Sequence, residues 1–319
     1  MQERLYYPVS EYYREKYGQK VYKLPVNLPV TCPNKDADGR GCDYCSPLGT
    51  GFESFTNNLS FGEQIRRNRE FMHRKYKAEL FILYLQNFSG TFQPAARLAE
   101  QIRSMPMEQI AEIAIATRPD CISRSYAKTL RQLQEELERP ITLELGLQTP
   151  NYRTLANIHR GHTLAEFLDA VLALRGEGLG VVAHMILDLP GDTMEDAVEG
   201  AKILSALGIG GVKLHSLYLA KGSRMAEQYE RGELPLPDPQ VYIARAAEFL
   251  AVVRPDMVIH RIAGRIPEEF SAAAGGMSWW KILDGIEARM RERGYTQGCK
   301  CDYLDGKALR QAGFEEQQE

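Results

Sequence analysis

The chain has 319 residues, 44% of them hydrophobic and 25% charged, with 39 basic against 42 acidic side chains for a formal charge of −3. That length holds two domains or one large α/β unit with an appendage, and the composition excludes intrinsic disorder and a collagen-like fibre. The near balance of charge gives no global pull towards nucleic acid or an anionic membrane, although a local basic groove is compatible with it.

No apolar run approaches the roughly 20 residues of a membrane span. The start, MQERLYYPVSEYYREKYG, has no hydrophobic signal core, so a cytoplasmic location and no membrane partner are expected. Six Cys are too dilute for a disulfide scaffold. In a reducing compartment, clustered Cys read instead as metal ligands or catalysts.

Apolar, β-branched runs recur along the chain: LPVNLPV before Thr31, LFILYLQN from Leu80, IAEIAIATR from Ile110, ITLELGLQ from Ile141, GVVAHMILDLPG from Gly180 and GVKLHSLYLA from Gly211. Each reads as a buried strand. Between them lie stretches of helical periodicity, several opening on a capping pair: Ser60 with Glu63, Thr163 with Glu166, Thr193 with Asp196. Strands alternating with helices imply a parallel sheet, open or curled into a barrel; a curled sheet of about six strands is expected. Chemistry in such folds collects where the strands end, which brings Cys32, Gln86, Asn87, Thr117, Arg118, Gln148, His184, Asp188 and Lys221 to one mouth.

After Gly232, ELPLPDPQ reads as a connector into a helix near Val241 to Val253, followed by the strand-like VIHRIAGRIP. The expected division is a core over residues 15–254 and a small C-terminal extension over 255–319. No internal repeat is present.

The strongest chemical signal is CPNKDADGRGCDYC, with Cys32, Cys42 and Cys45 on one Gly-containing loop after the first strand. Three thiolates on one loop bind a metal or a cluster. Structural zinc takes four protein ligands, so zinc here needs a partner such as Cys299 or Cys301, giving a non-catalytic zinc-binding module. A four-iron cluster held by three Cys instead keeps one iron open to an exogenous ligand. Cys299 and Cys301 otherwise read as incidental thiols and Cys121 as a small apolar neighbour. The basic run Arg66, Arg67, Arg69, Arg74, Lys75 and Lys77 reads as a solvated helix face diluted by Glu63, Glu70 and Glu79. Tyr6, Tyr7, Tyr12, Tyr13, Trp279 and Trp280 read as packing.

The Cys loop with Tyr44 before its last Cys, the six βα units, and the pieces TRPDC (117–121), ELGLQT (144–149), RGHT (160–163), DLPGDT (188–193) and KLHSLYLAKGS (213–223) together resemble the radical S-adenosylmethionine (radical SAM) superfamily. The likeness spans roughly residues 15 to 310 and is strongest to the Elp3-related subgroup of YhcC or YtqA type. It implies a partial (β/α)6 TIM-like barrel of parallel strands. It also implies a [4Fe-4S] cluster on Cys32, Cys42 and Cys45, with SAM chelating the fourth iron and cleaved reductively to a 5′-deoxyadenosyl radical. The spacing C-x9-C-x2-C departs from the commoner C-x3-C-x2-C, as the Elp3-related branch does.

By the same resemblance, Gln86 and Asn87 stand where relatives carry a Gly-Gly-Glu type motif against the SAM amino group, though no Glu is present here. Gln148 matches a contact to the ribose or methionine portion, Arg160 a partner of the SAM carboxylate, and His184 the place of a ribose-binding Asp. Tyr44 would lie near the adenine, with backbone groups of Leu217 to Leu219. Ala116 stands where some relatives place a ribose-binding Glu. An electron donor, either a reductase or a protein of flavodoxin or ferredoxin type, is implied; the substrate stays open between tRNA or other nucleic acid, a small metabolite and a protein.

Overall fold

The computed structural model describes residues 4–47, 49, 58–236, 238–264, 266–273 and 277–314. The apolar runs become β1 (Val21–Asn27), β2 (Leu80–Gln86), β3 (Ile110–Thr117), β4 (Ile141–Gln148), β5 (Gly180–Ile186), β6 (Gly211–His215) and a short β7 (Val258–Arg261). They form one sheet in chain order, and every neighbouring pair is parallel. The helices are α1 (Val9–Tyr17), α2 (Phe61–Tyr76), α3 (Ala95–Arg103), α4 (Arg124–Leu137), α5 (Tyr152–Asn157), α6 (Leu164–Gly176), α7 (Met194–Ala206), α8 (Arg224–Glu230), α9 (Pro239–Val252), α10 (Trp279–Arg293) and α11 (Lys307–Gln311).

The expected capping signals operate. The Ser60 hydroxyl accepts from Glu63 N, Thr163 and Glu166 close a capping box, and Asp196 accepts from Thr193 N at 2.8 Å. The first strand begins three residues earlier than the LPVNLPV run and releases Leu28–Val30. Pro25 is tolerated because β1 is an edge strand, where a missing N–H breaks no ladder bond on its open side. The expected six strands become seven, since the VIHR segment, expected in a separate extension, pairs with β6.

Side chains alternate across each strand. One set, including Leu24, Val26, Leu83, Ile113, Leu145 and Leu214, packs with the helices into a single apolar core. The other set holds Lys23, Tyr84, Glu144, His184, Lys213 and His260, and all six line one cavity of about 1090 Å³. Strands from both edges of a sheet share one cavity only if the sheet curls, so the fold is an open half-barrel with a polar interior. Helix α1 packs against both edge strands, β1 and β7. From there Tyr17 donates to Glu112 of β3 at 2.7 Å and Lys16 pairs with it at 2.5 Å.

The segments at Tyr7 and at Gln297 to Lys300 are tied to each other and to the connection from α9 to β7. Gln297 accepts from Tyr7 N at 2.7 Å and donates to Arg254 O and Met257 O at 2.8 Å each. Lys300 N donates to Ala251 O at 2.8 Å. Cys299 and Cys301 therefore sit beside the end of α9, which feeds the N-terminal end of β7. That is the end of the parallel sheet opposite to the loop leaving β1. No helix among the described residues is long and apolar enough to cross a membrane.

Candidate cluster and cofactor site

The loop leaving β1 is held in shape by one carboxylate. Asp36 accepts from Asp38 N at 3.0 Å, Arg40 N at 2.9 Å and Arg224 Nη2 of α8 at 2.6 Å, while Asp36 N donates to Arg40 O at 2.8 Å. Arg224 Nη1 also donates to Gly41 O at 2.6 Å. The nine residues between Cys32 and Cys42 thus fold out as a closed side loop, and Cys32 returns to the neighbourhood of Cys42. Cys45 follows in a tight turn, with its N donating to Cys42 O at 2.8 Å. Burial pushes the Cys45 thiol up to about 12, and the sulfurs of Cys42 and Cys32 push it the same way.

Three soft sulfur donors converge at the mouth of the cavity, a set suited to iron–sulfur or zinc rather than to hard cations. Among the described residues, no three His, Cys, Asp or Glu side chains close around a single-ion position. A cube does not require that, because it offers each sulfur a separate corner. Cys299 and Cys301 are not part of this wall, so the zinc site completed by either of them has no counterpart among the described residues.

Of the residues expected to meet SAM, Tyr44, Gln86, Gln148, Arg160 and His184 line the same cavity as the three Cys. Asn87 does not. Its φ is 86° and its Oδ1 accepts from Phe88 N at 3.1 Å; it faces Gly49 of the Cys-loop segment, while Phe88 takes its place on the cavity wall. Gln148 has φ 78°, and the register of β4 against β5 shifts between Gly146 and Gln148. Left-handed backbone at non-glycine residues is costly and collects at functional sites. Tyr44, Gln148, His184 and Leu217 also line a smaller recess of about 80 Å³.

Arg160 is 5% exposed and spans two elements: Nη1 donates to Cys42 Sγ at 3.5 Å and Nη2 to Gly146 O at 2.7 Å. Behind it, Arg118 Nη1 donates to Arg160 O at 2.8 Å, and Asp120 holds Arg118 bidentately at 2.9 and 2.8 Å. Burial, then Arg160, pushes the pKa of His162 down to about 4, leaving it a neutral partner of Gly146 O at 2.9 Å.

Below this wall lies a layer in which only His184 was assigned a role from sequence. The Glu144 carboxylate is 1% exposed and meets the ammoniums of Lys23 and Lys213 and, at 3.0 Å, His184 Nε2. Lys23 also stands 4.2 Å from the centre of the Tyr84 ring. Burial, then Lys213, pushes His184 down to about 4, so a neutral ring donates Nε2–H to Glu144 and keeps Nδ1 as an acceptor. The signal for this layer was present: a single charged residue breaks an otherwise apolar strand, Glu144 in ELGLQ and Lys213 in GVKLH.

Comparison with known proteins identifies the family. Residues 26–204 match the model described as Radical SAM superfamily, and residues 209–292 match the Radical_SAM C-terminal domain. The chain is 33% identical over 304 residues to the uncharacterized protein YtqA of Bacillus subtilis, covering 93% of this chain and 92% of that one. It is 31% identical over 255 residues to protein YhcC of Escherichia coli, covering 78% and 80%. Elp3 of the archaeon Methanocaldococcus infernus superposes with a TM-score of 0.67 at 18% identity, over 92% of this chain and 68% of that one, which is a likeness of fold. The chain belongs to the radical SAM superfamily, in its Elp3-related YtqA and YhcC subgroup, and is an enzyme of that family whose members use SAM and an iron–sulfur cluster.

Proposed function

We propose that Cys32, Cys42 and Cys45 hold a [4Fe-4S] cluster and that the cavity beside them binds SAM for reductive cleavage. When bound, this pair supplies a 5′-deoxyadenosyl radical. The observation that carries the reading is the convergence of the three sulfurs with Tyr44, Gln86, Gln148, Arg160 and His184 on one cavity. Tyr44 packs with Leu217 in an apolar patch suited to the adenine. Gln148 and the Nδ1 of His184 offer hydrogen bonds to the ribose or methionine portion, and the Arg160 Nε, buried and without a partner among the described residues, is the atom left for the SAM carboxylate. Residues 15–254 form the cofactor-bearing core and 255–319 the extension.

The substrate reading is anionic. Among the described residues, nine Lys or Arg and two Glu line the cavity. Helix α2, expected to be merely a solvated face, sets Arg67, Arg74 and Lys75 on that lining beside the exposed rings of Phe71 and Tyr76. Arg66 and Arg67 are tied to Glu63, and Arg66 also to Glu70, as the charge pattern suggests. Cations interleaved with exposed aromatic rings favour nucleic acid among the three substrate classes.

The test is anaerobic reconstitution followed by metal and product analysis. About four iron and four sulfide per chain, with 5′-deoxyadenosine formed from SAM under a reductase, flavodoxin or dithionite, supports the reading. Stoichiometric zinc without iron overturns it. Comparing modified nucleosides from cells with and without the protein tests the substrate class, and an unchanged profile with altered small metabolites overturns the nucleic-acid reading.

A further inference from the structure

Cys42 differs from Cys45 in what surrounds its sulfur. Asn34 Nδ2 lies 3.3 Å and Arg160 Nη1 3.5 Å from Cys42 Sγ, with Arg160 O farther off at 4.0 Å, whereas Cys45 Sγ faces Ser46 O at 3.6 Å. Both donors are held in place. Asn34 Nδ2 also donates to His159 O at 2.7 Å, and the backbone at Gly161, with φ 73°, comes so near that a Cβ there would stand 2.0 Å from Asn34 Oδ1. Arg160 is fixed through Gly146 O on one side and, through its own carbonyl, by the Arg118–Asp120 clamp on the other. A guanidinium this deeply buried keeps its charge unscreened by solvent beside the sulfur.

We propose that Arg160 and Asn34 are positioning residues for electron entry: acting on the Cys42 sulfur, they raise the reduction potential of the cluster. The inference rests on the cluster reading above and adds a role to Arg160 beyond any contact with SAM. Reduction places one electron, from a low-potential donor such as dithionite, on the cluster. No bond breaks and no proton moves, so the cluster with its three thiolates becomes one unit more negative. N–H donors to a ligand sulfur and a fixed neighbouring cation both stabilise that added charge.

The experiment is an anaerobic redox titration of the full chain carrying its cluster, without SAM, following the EPR signal of the reduced cluster. Wild type is compared with Arg160→Met, Arg160→Lys and Asn34→Ala, and iron and SAM affinity are measured on each. At the potential where wild type is half reduced, the ratio of reduced to oxidised cluster is expected to fall about tenfold in Arg160→Met, about 59 mV for one electron, and about threefold in Asn34→Ala. Arg160→Lys keeps the charge and is expected to stay within about threefold of wild type.

Unchanged ratios in Arg160→Met and Asn34→Ala, with iron retained, overturn the proposal. If SAM affinity alone falls in Arg160→Met, the arginine is a SAM ligand only. Should Arg160→Met take up no iron, Asn34→Ala decides, an unchanged ratio again being fatal. A wild-type chain that assembles no cluster overturns the proposed function itself, which separates the two failures.

Discussion

Replacing Glu144 by Gln keeps the shape of the side chain and removes one negative charge from inside the half-barrel. The carboxylate is 1% exposed and serves two ammoniums and an imidazole. Removing one partner of a buried ion pair costs about 3–5 kcal/mol, because the charge left behind is stranded. The side chain of Lys23 is 26% exposed and rehydrates, whereas that of Lys213 is 9% exposed and does not. The lower end therefore applies, about 3 kcal/mol, which at roughly 2 °C per kcal/mol lowers the unfolding midpoint by about 6 °C.

Adding Lys213→Met removes the stranded charge and is expected to restore about 1–2 kcal/mol. Burial alone would raise the Glu144 pKa, but Lys213, Lys23 and His184 outweigh it and hold it well below the ordinary 4.5. A carboxylate depressed on folding stabilises above its unfolded value, and that contribution is lost as pH falls through the folded one. The gap between wild type and Glu144→Gln is therefore constant from neutral pH down to about 5 and shrinks in more acid solution. Urea denaturation of the metal-free chain, followed by circular dichroism across pH, measures all of this. A loss under about 1 kcal/mol, or strictly additive effects in the double variant, would refute a buried charge network.

Cys42→Ala is expected to abolish iron uptake while changing the stability of the metal-free chain by less than about 2 kcal/mol, since Cys42 lies outside the apolar clusters of the fold. Loss of the folded dichroism signal would instead make the cysteines structural. Gly146→Ala places a Cβ 2.7 Å from Gln148 Nε2 and 2.8 Å from Arg160 Nη2, so both must shift. Calorimetry should show SAM binding weakened about tenfold, near 1.4 kcal/mol, and unaltered affinity would remove Gln148 and Arg160 from the SAM site.

Asp188 accepts from Leu217 N at 2.6 Å, and burial pushes its pKa up to about 7. An acid whose pKa rises on folding contributes stability at low pH and loses it as pH climbs through the folded value. Wild type should therefore lose stability relative to Asp188→Asn between about pH 4 and pH 7, and parallel stability curves would contradict the assignment.

What the sequence by itself determined is local. Apolar runs broken by capping pairs specify strands and helices, because hydrophobic period and cap chemistry act within a few residues. The spacing of Cys32, Cys42 and Cys45 on one loop announced a candidate metal or cluster site, since three soft donors so close in the chain have few other uses. The edges blurred where local signals compete: β1 slid three residues away from its proline-rich tail, and the strand-like VIHR, expected in the extension, joined the sheet as β7.

Convergence over long separations was decided only by the tertiary structure. Arg160 meets Cys42 across 118 residues of chain, and Lys23 meets Glu144 across 121. Neither meeting has a period or a motif, because each depends on how far the sheet curls and which register its strands adopt. The same curl turned Asn87 away in favour of Phe88, carried Cys299 and Cys301 to the far end, and swung the basic face of α2 onto the cavity wall. Side-chain alternation supplies the inward-facing polar groups, but only closure of the half-barrel brings their charges within reach of one another.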